Sequence, residues 1–152
     1  VKASAAAAIA TLSANHTPPF ESTVDPCDTT DGVAALFAAL TELSGDTNAN
    51  LAKTALSALV NFSSHLLCAT KICLLGAPLK LLTNALDDDS PSALVALNLS
   101  VLANATRFPF PADAALAGGA SNPQIPSPAR MLLMAGRLRK LGEALAREGG
   151  GG

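Results

Sequence analysis

The stretch Leu56-Ser57-Ala58-Leu59-Val60-Asn61-Phe62-Ser63 is answered 43 residues later by Leu99-Ser100-Val101-Leu102-Ala103-Asn104-Ala105-Thr106. Working outward, the same offset carries Leu36 onto Leu79, Ala39 onto Leu82, Leu43 onto Leu86 and Asp46 onto Asp89. A period near 43 in an apolar, helix-prone sequence is the signature of stacked helical repeats. No such unit buries its apolar face alone, so units stack on one another and generate extended surfaces. The pattern predicts a binding surface more than a reaction centre.

The pattern around the quoted stretch extends this reading. Asp31 is placed to cap a helix whose apolar face is Val33, Leu36, Phe37, Leu40 and Leu43. Gly45-Asp46-Thr47-Asn48 stops it, and a second helix is predicted from about Ala49 to Leu66 or Leu67. A short helix over Ala69 to Leu75 closes near Gly76, and Pro78 suits the first turn of the next. Ser90 is the expected N-cap, with Pro91 at the first helical position, of a run to Thr106. The order is short helix, turn, long helix, short helix, short helix, turn, long helix.

Composition agrees with helices. Apolar residues make up 49% of the 152 positions but aromatic ones only 3%, so the core must be built from Leu, Ala and Val. Scarce β-branched and aromatic residues argue against an all-β fold. Charged residues are 14% and the net charge is -2, a thin cover that leaves exterior to be shielded by a partner or by further sequence. The start at Val1 and the run Gly149 to Gly152 predict a portion of a longer chain or a processed form.

Four regions follow: an N-terminal helix and acidic loop at 1–30, a repeat core at 31–107, a Pro/Gly-rich loop at 108–128, and a basic amphipathic helix with a Gly tail at 129–152. The last helix shows Met134, Leu138, Leu141 and Leu145 on one side and carries Arg130, Arg137, Arg139, Lys140 and Arg147. It reads as a cap on the stack, with contact to an acidic protein surface as the next reading. Binding to nucleic acid or anionic lipid is disfavoured by the missing aromatic stacking groups and the mildly acidic chain.

Enzyme chemistry finds little support. His16 and His65 have no Cys or carboxylate at ligand spacing, and Cys68 and Cys73 are too far apart for a zinc knuckle. No phosphate loop, dinucleotide fingerprint or nucleophile elbow is present. We therefore expect no enzymatic activity, no cofactor and no metal. Asp87-Asp88-Asp89 reads as a solvated turn favouring the start of the following helix. Three Cys, an odd number without framework spacing, read as reduced and intracellular. Asn15, Asn61, Asn98 and Asn104 match the glycosylation acceptor pattern, but three lie in predicted helices and are read as unmodified. The stretch from Leu66 to Leu82 is broken by Lys71, Pro78 and Lys80, so no membrane span is predicted.

Asn61 and Asn104 occupy one register of the two long helices. A ladder of such amides could hold an extended peptide by its backbone, or could bond a carbonyl of its own or an adjacent helix and shape the stack. With Arg107, Arg137 and Lys140 they are the candidate protein-binding residues.

Leu59 to Ser63, Leu79 to Leu86 and Leu99 to Arg107 resemble armadillo-repeat proteins. More narrowly, Leu59-Val60-Asn61-Phe62-Ser63 and Leu102-Ala103-Asn104-Ala105-Thr106-Arg107 are similar to two helices of the cytosolic armadillo-like family that assists folding of translation elongation factor 2. The resemblance covers Gly32 to Arg107. It implies an all-α, armadillo/HEAT-like right-handed helical repeat stack of about two full units plus flanking helices. It further implies a chaperone adaptor that binds a nascent or partly folded protein client without nucleotide or metal. The alternative is a structural subunit of a large multiprotein or ribonucleoprotein assembly. The expected location is cytoplasmic, or mitochondrial within an organelle assembly.

Overall fold

A computed structural model describes residues 1–15 and 23–107, together with Arg139, Gly142, Glu143 and Ala146. Those last four are helical and exposed, and Arg139 Nε lies 3.8 Å from Glu143 Oε1. The remainder of the predicted 129–148 helix and the predicted loop at 108–128 lie outside the described residues, as do His16, Arg137 and Lys140.

All regular structure among the described residues is helical. The elements are α1 (Lys2–Ala14), α2 (Gly32–Leu43), α3 (Ala49–Ser63), α4 (Leu66–Leu74), α5 (Ala77–Ala85) and α6 (Ser92–Arg107). Local chemistry sets their starts. Asp31 Oδ1 accepts from the Ala34 N–H at 2.7 Å and opens α2. Asn48 Oδ1 accepts from Asn50 and Leu51 and opens α3. Each cap satisfies donors that no preceding turn can reach. Between α4 and α5 the chain passes Gly76 at φ 77°, the left-handed region where a Cβ is penalised, and Pro78 follows in the first turn of α5.

Two boundaries differ from the sequence reading. The long helix stops at Ser63, not Leu66 or Leu67, because Ser64 Oγ donates to the Asn61 carbonyl at 2.6 Å and His65 is extended. The following short helix thus starts at Leu66. Ser90 does not cap α6. Its hydroxyl donates back to the Asn84 carbonyl at 3.1 Å, and the Pro91 carbonyl accepts from Leu94 and Val95 as the helix begins.

Helix α3 is the hub, packing against α1, α2, α4 and α6, while α5 packs against α6. Ala52, Ala55 and Ala58 are fully buried along it, and such small side chains let neighbouring helices approach closely. Around them lie Phe37, Leu40, Leu56, Leu59, Ile72, Leu81 and Val101, all at most 1% exposed. Burying each such side chain stabilises by roughly 1.5–3 kcal/mol. The rings of Phe37 and Phe62 meet at 5.3 Å and 57°, joining α2 to α3 in the tilted geometry that aromatic quadrupoles favour. No single helix among the described residues is long and apolar enough to cross a membrane.

Residues 23–31, at the 43-residue offset from α4, form turns and bends. They are held by Lys71, whose side chain is fully buried. Its Nζ donates to the Asp25 carbonyl at 2.7 Å, the Asp28 carbonyl and Asp31 Oδ2 at 2.8 Å. Lys71 thus bonds the residue 43 positions before it, and its three donors occupy acceptors that an irregular segment would otherwise leave unmatched.

Candidate protein-binding face

The two repeated stretches sit in matching surroundings. Leu59 and Leu102 are both buried, at 0% and 4% exposure, and Asn61 and Asn104 are both half-buried beside them. The amides also do the same work. Asn61 Nδ2 donates to Ser13 Oγ at 3.1 Å, and Ser13 Oγ donates to the Ala10 carbonyl at 2.7 Å. Asn104 Nδ2 donates to Ser63 Oγ at 3.1 Å, and Ser63 Oγ donates to the Val60 carbonyl at 3.0 Å. In each case an amide near the end of one helix reaches a serine in the last turn of another, so the C-terminal turns of α1, α3 and α6 lie side by side. A third bridge of this kind joins α5 to α2. Asn84 Nδ2 donates to Ser44 Oγ at 3.1 Å, and Ser44 Oγ donates to the Thr41 carbonyl at 2.6 Å.

The bridges limit what each amide has left for a partner. Asn104 Nδ2 also donates to the Val60 carbonyl at 3.1 Å, so both its N–H bonds are committed within the fold. Asn61 commits one to Ser13 and has no second acceptor among the described residues. Arg107 is exposed at the same end of the row, and its Nη2 donates to the Ser64 carbonyl at 3.3 Å. The structure thus brings Asn61, Asn104 and Arg107 together. Arg137 and Lys140 lie outside the described residues.

The outward side of the row carries mostly short side chains together with one lysine. Ser100, Ala96 and Ala103 on α6 are exposed, and Ser57 and Val60 on α3 are half-buried, with Lys53 exposed beside them. Ser57 Oγ turns back to the Lys53 carbonyl at 2.9 Å and Ser100 Oγ to the Ala96 carbonyl at 2.8 Å. With the hydroxyls directed at their own backbone, small methyl and methylene groups dominate what an approaching chain would meet.

No family model, curated protein or solved structure matches the chain.

Several polar groups fall elsewhere. Asp87 to Asp89 form an exposed turn in which Asp87 Oδ1 accepts from the Asp89 N–H. Among the described residues no three His, Cys, Asp or Glu side chains gather as a metal site. Cys68 and Cys73 are buried thiols that form no disulfide, and burial pushes the Cys73 thiol up to about 12. The Lys71 hydrogen bond, helped by the Ala34 N–H, holds the Asp31 carboxyl below its ordinary value. Asp28 is lowered too, chiefly by the Thr30 N–H and hydroxyl.

Sequence reasoning missed Ser13, Ser44, Ser63, Asn84 and Lys71. A signal existed for Lys71. It is the one charge between Leu66 and Leu79, and a charge in an apolar helix must find partners or stay at the surface.

Proposed function

We propose that residues 31–107 form about two units of an armadillo-like stack, joined by α1 as a further long helix in the same row, and that this row binds a protein client. In this reading α2 and α3 belong to one unit, and α4, α5 and α6 to the next. Residues 23–31 take the place of the first unit's short helix. The observation that carries it is the repeated amide-to-serine bridge. It ties α1 to α3 and α3 to α6 through equivalent atoms, as a stack built by one repeated step requires.

The client would lie across α3 and α6 on the face of short side chains formed by Ser57, Val60, Ser100 and Ala103. Asn61 and Arg107 would supply hydrogen bonds at one end. Small side chains favour an extended or partly folded segment, because they allow its backbone to come close. This supports an adaptor or co-chaperone acting in the cytoplasm. The narrower form, assistance to translation elongation factor 2, rests on the likeness of the Leu59–Ser63 and Leu102–Arg107 stretches.

The test places bulk and charge on the face without touching the core. The double variant Ser57→Arg/Ser100→Arg should fold with an unchanged melting temperature. It should lose the ability to suppress aggregation of a thermally unfolding reporter enzyme or of elongation factor 2. Full suppression by that variant, or none by the parent chain, refutes the proposal.

A further inference from the structure

Residues 25–31 close around one atom. Lys71 Nζ donates to the Asp25 carbonyl at 2.7 Å, to Asp31 Oδ2 at 2.8 Å and to the Asp28 carbonyl. A primary ammonium has three N–H donors and no acceptor, so three oxygens saturate it. One of the three belongs to a carboxylate, so the cage also brings the single negative charge that balances its occupant. The Lys71 side chain is fully buried, whereas that of Asp31 is 27% exposed, so the cage meets water on the Asp31 side.

The shape of the cage is set by bonds in which Lys71 takes no part. Asp25 Oδ1 accepts from the Cys27 N–H at 2.9 Å. Asp28 Oδ1 accepts from the Thr30 N–H and from the Thr30 hydroxyl, both at 2.8 Å, and Asp31 Oδ1 accepts from the Ala34 N–H at 2.7 Å. Each aspartate thus fixes its own stretch of backbone two or three residues on. What remains to the ammonium is the carbonyls of Asp25 and Asp28 and the second oxygen of Asp31. Val24, buried in the apolar core, anchors the head of the segment. A cage built this way keeps its acceptors near one another when the lysine is taken away. Acceptors stripped of their donor beside a buried site cost stability, which favours recruiting a replacement.

We propose that residues 25–31 are an ammonium receptor in their own right, preformed for a primary alkylammonium, which the parent chain fills with its own Lys71. The ligand class follows from the donor count and the charge together. A quaternary ammonium brings charge without donors, an alcohol brings a donor without charge, and a guanidinium spreads five donors over a rigid plane. An alkyl stem ending in three N–H groups meets all three oxygens. The inference does not depend on the row of α3 and α6 or on any client.

Lys71→Ala deletes Cγ, Cδ, Cε and Nζ, which are the heavy atoms of n-propylammonium, and that amine is the probe. Titrated into the variant, it should raise the melting temperature saturably, by at least ~3 °C, and slow proteolysis of residues 25–31 toward the parent rate. Tetramethylammonium and n-propanol at the same concentrations should do neither. The parent chain, with its cage filled, should not respond to the amine. Adding Asp31→Asn to Lys71→Ala should raise the half-saturating amine concentration at least ~10-fold. Should Lys71→Ala fail to fold alone, recovery of its circular dichroism on refolding with propylammonium is the readout, and no recovery overturns the proposal. So does the absence of any rise in melting temperature, or a rise that tetramethylammonium matches, that the parent chain shares, or that Asp31→Asn leaves unchanged.

Discussion

Replacing Lys71 by Met keeps most of the side-chain volume and removes only the ammonium, which isolates the worth of the clasp on residues 25–31. The group makes three hydrogen bonds, to two carbonyls and one carboxylate, and is fully buried. Bonds to a charged group are worth about 1.5–3 kcal/mol each, or roughly 5–9 kcal/mol for the three. Against that stands an ammonium desolvation cost of several kcal/mol. We expect a net loss of about 2–3 kcal/mol in urea unfolding, and a fall in melting temperature of roughly 4–12 °C for a chain of this size. Lys71→Ala should lose more, because it adds an unfilled volume where the stem lay. Limited proteolysis at Asp25, Asp28 and Asp31 should accelerate in both variants. Unchanged stability together with an unchanged cleavage rate in Lys71→Met would refute the view that this charge secures the segment.

Further outcomes follow from the same geometry. The Asp31 carboxyl is lowered in the fold, from an ordinary value of 3.8, so the stability it contributes is present above pH 3.8 and lost as pH falls through its folded value. Acid unfolding followed by circular dichroism should therefore show a shallower low-pH dependence in Lys71→Met, which removes the largest cause of that shift. Asn104→Ala gives up two bonds and Asn61→Ala one, with losses of about 2 and about 1 kcal/mol expected in chemical denaturation. Asn104→Ala and Ser63→Ala should be non-additive in a double-mutant cycle, because they share a bond. Gly76→Ala should cost about 1–2 kcal/mol by thermal melting through backbone conformation alone, since an added Cβ there meets nothing within 4 Å. A thiol reagent should titrate Cys27 in the native chain and reach Cys68 and Cys73 only in denaturant. Raising the pH to 9 should not expose Cys73 to it, because its thiol lies near 12.

Much of the helix order was legible because it depends on local chemistry. Asp31 before an apolar run and Gly76 with Pro78 act within a few residues of themselves. The end of α3 was not legible, because Ser64 and His65 are compatible with helix and the stop depends on a side-chain bond formed only as the chain turns. The displaced start of α6 has a similar origin: Ser90 had two acceptable partners, and the Asn84 carbonyl took the hydroxyl. The matching register of Asn61 and Asn104 could be read from the 43-residue offset. Where their N–H groups point could not, since the acceptors are 48 and 41 residues away. The relation of α1 to α3 was hidden further by its different spacing and by an alanine run without periodicity. Lys71 was visible as an oddity, but its acceptors are backbone carbonyls, which carry no side-chain signature.

The amide-to-serine bridges all run one way, from the later helix to the earlier. Thr106 near the end of α6 already turns its hydroxyl to the Ala103 carbonyl at 3.1 Å, as Ser63 does to Val60 and Ser13 to Ala10. Lengthening this protein by design is therefore directional: a helix engineered to follow α6 needs an asparagine aimed at Thr106, whereas one grafted ahead of α1 must bring a hydroxyl within reach of position 11. Since Thr11 offers no amide there, the first kind of graft inherits a ready latch and the second must have one built.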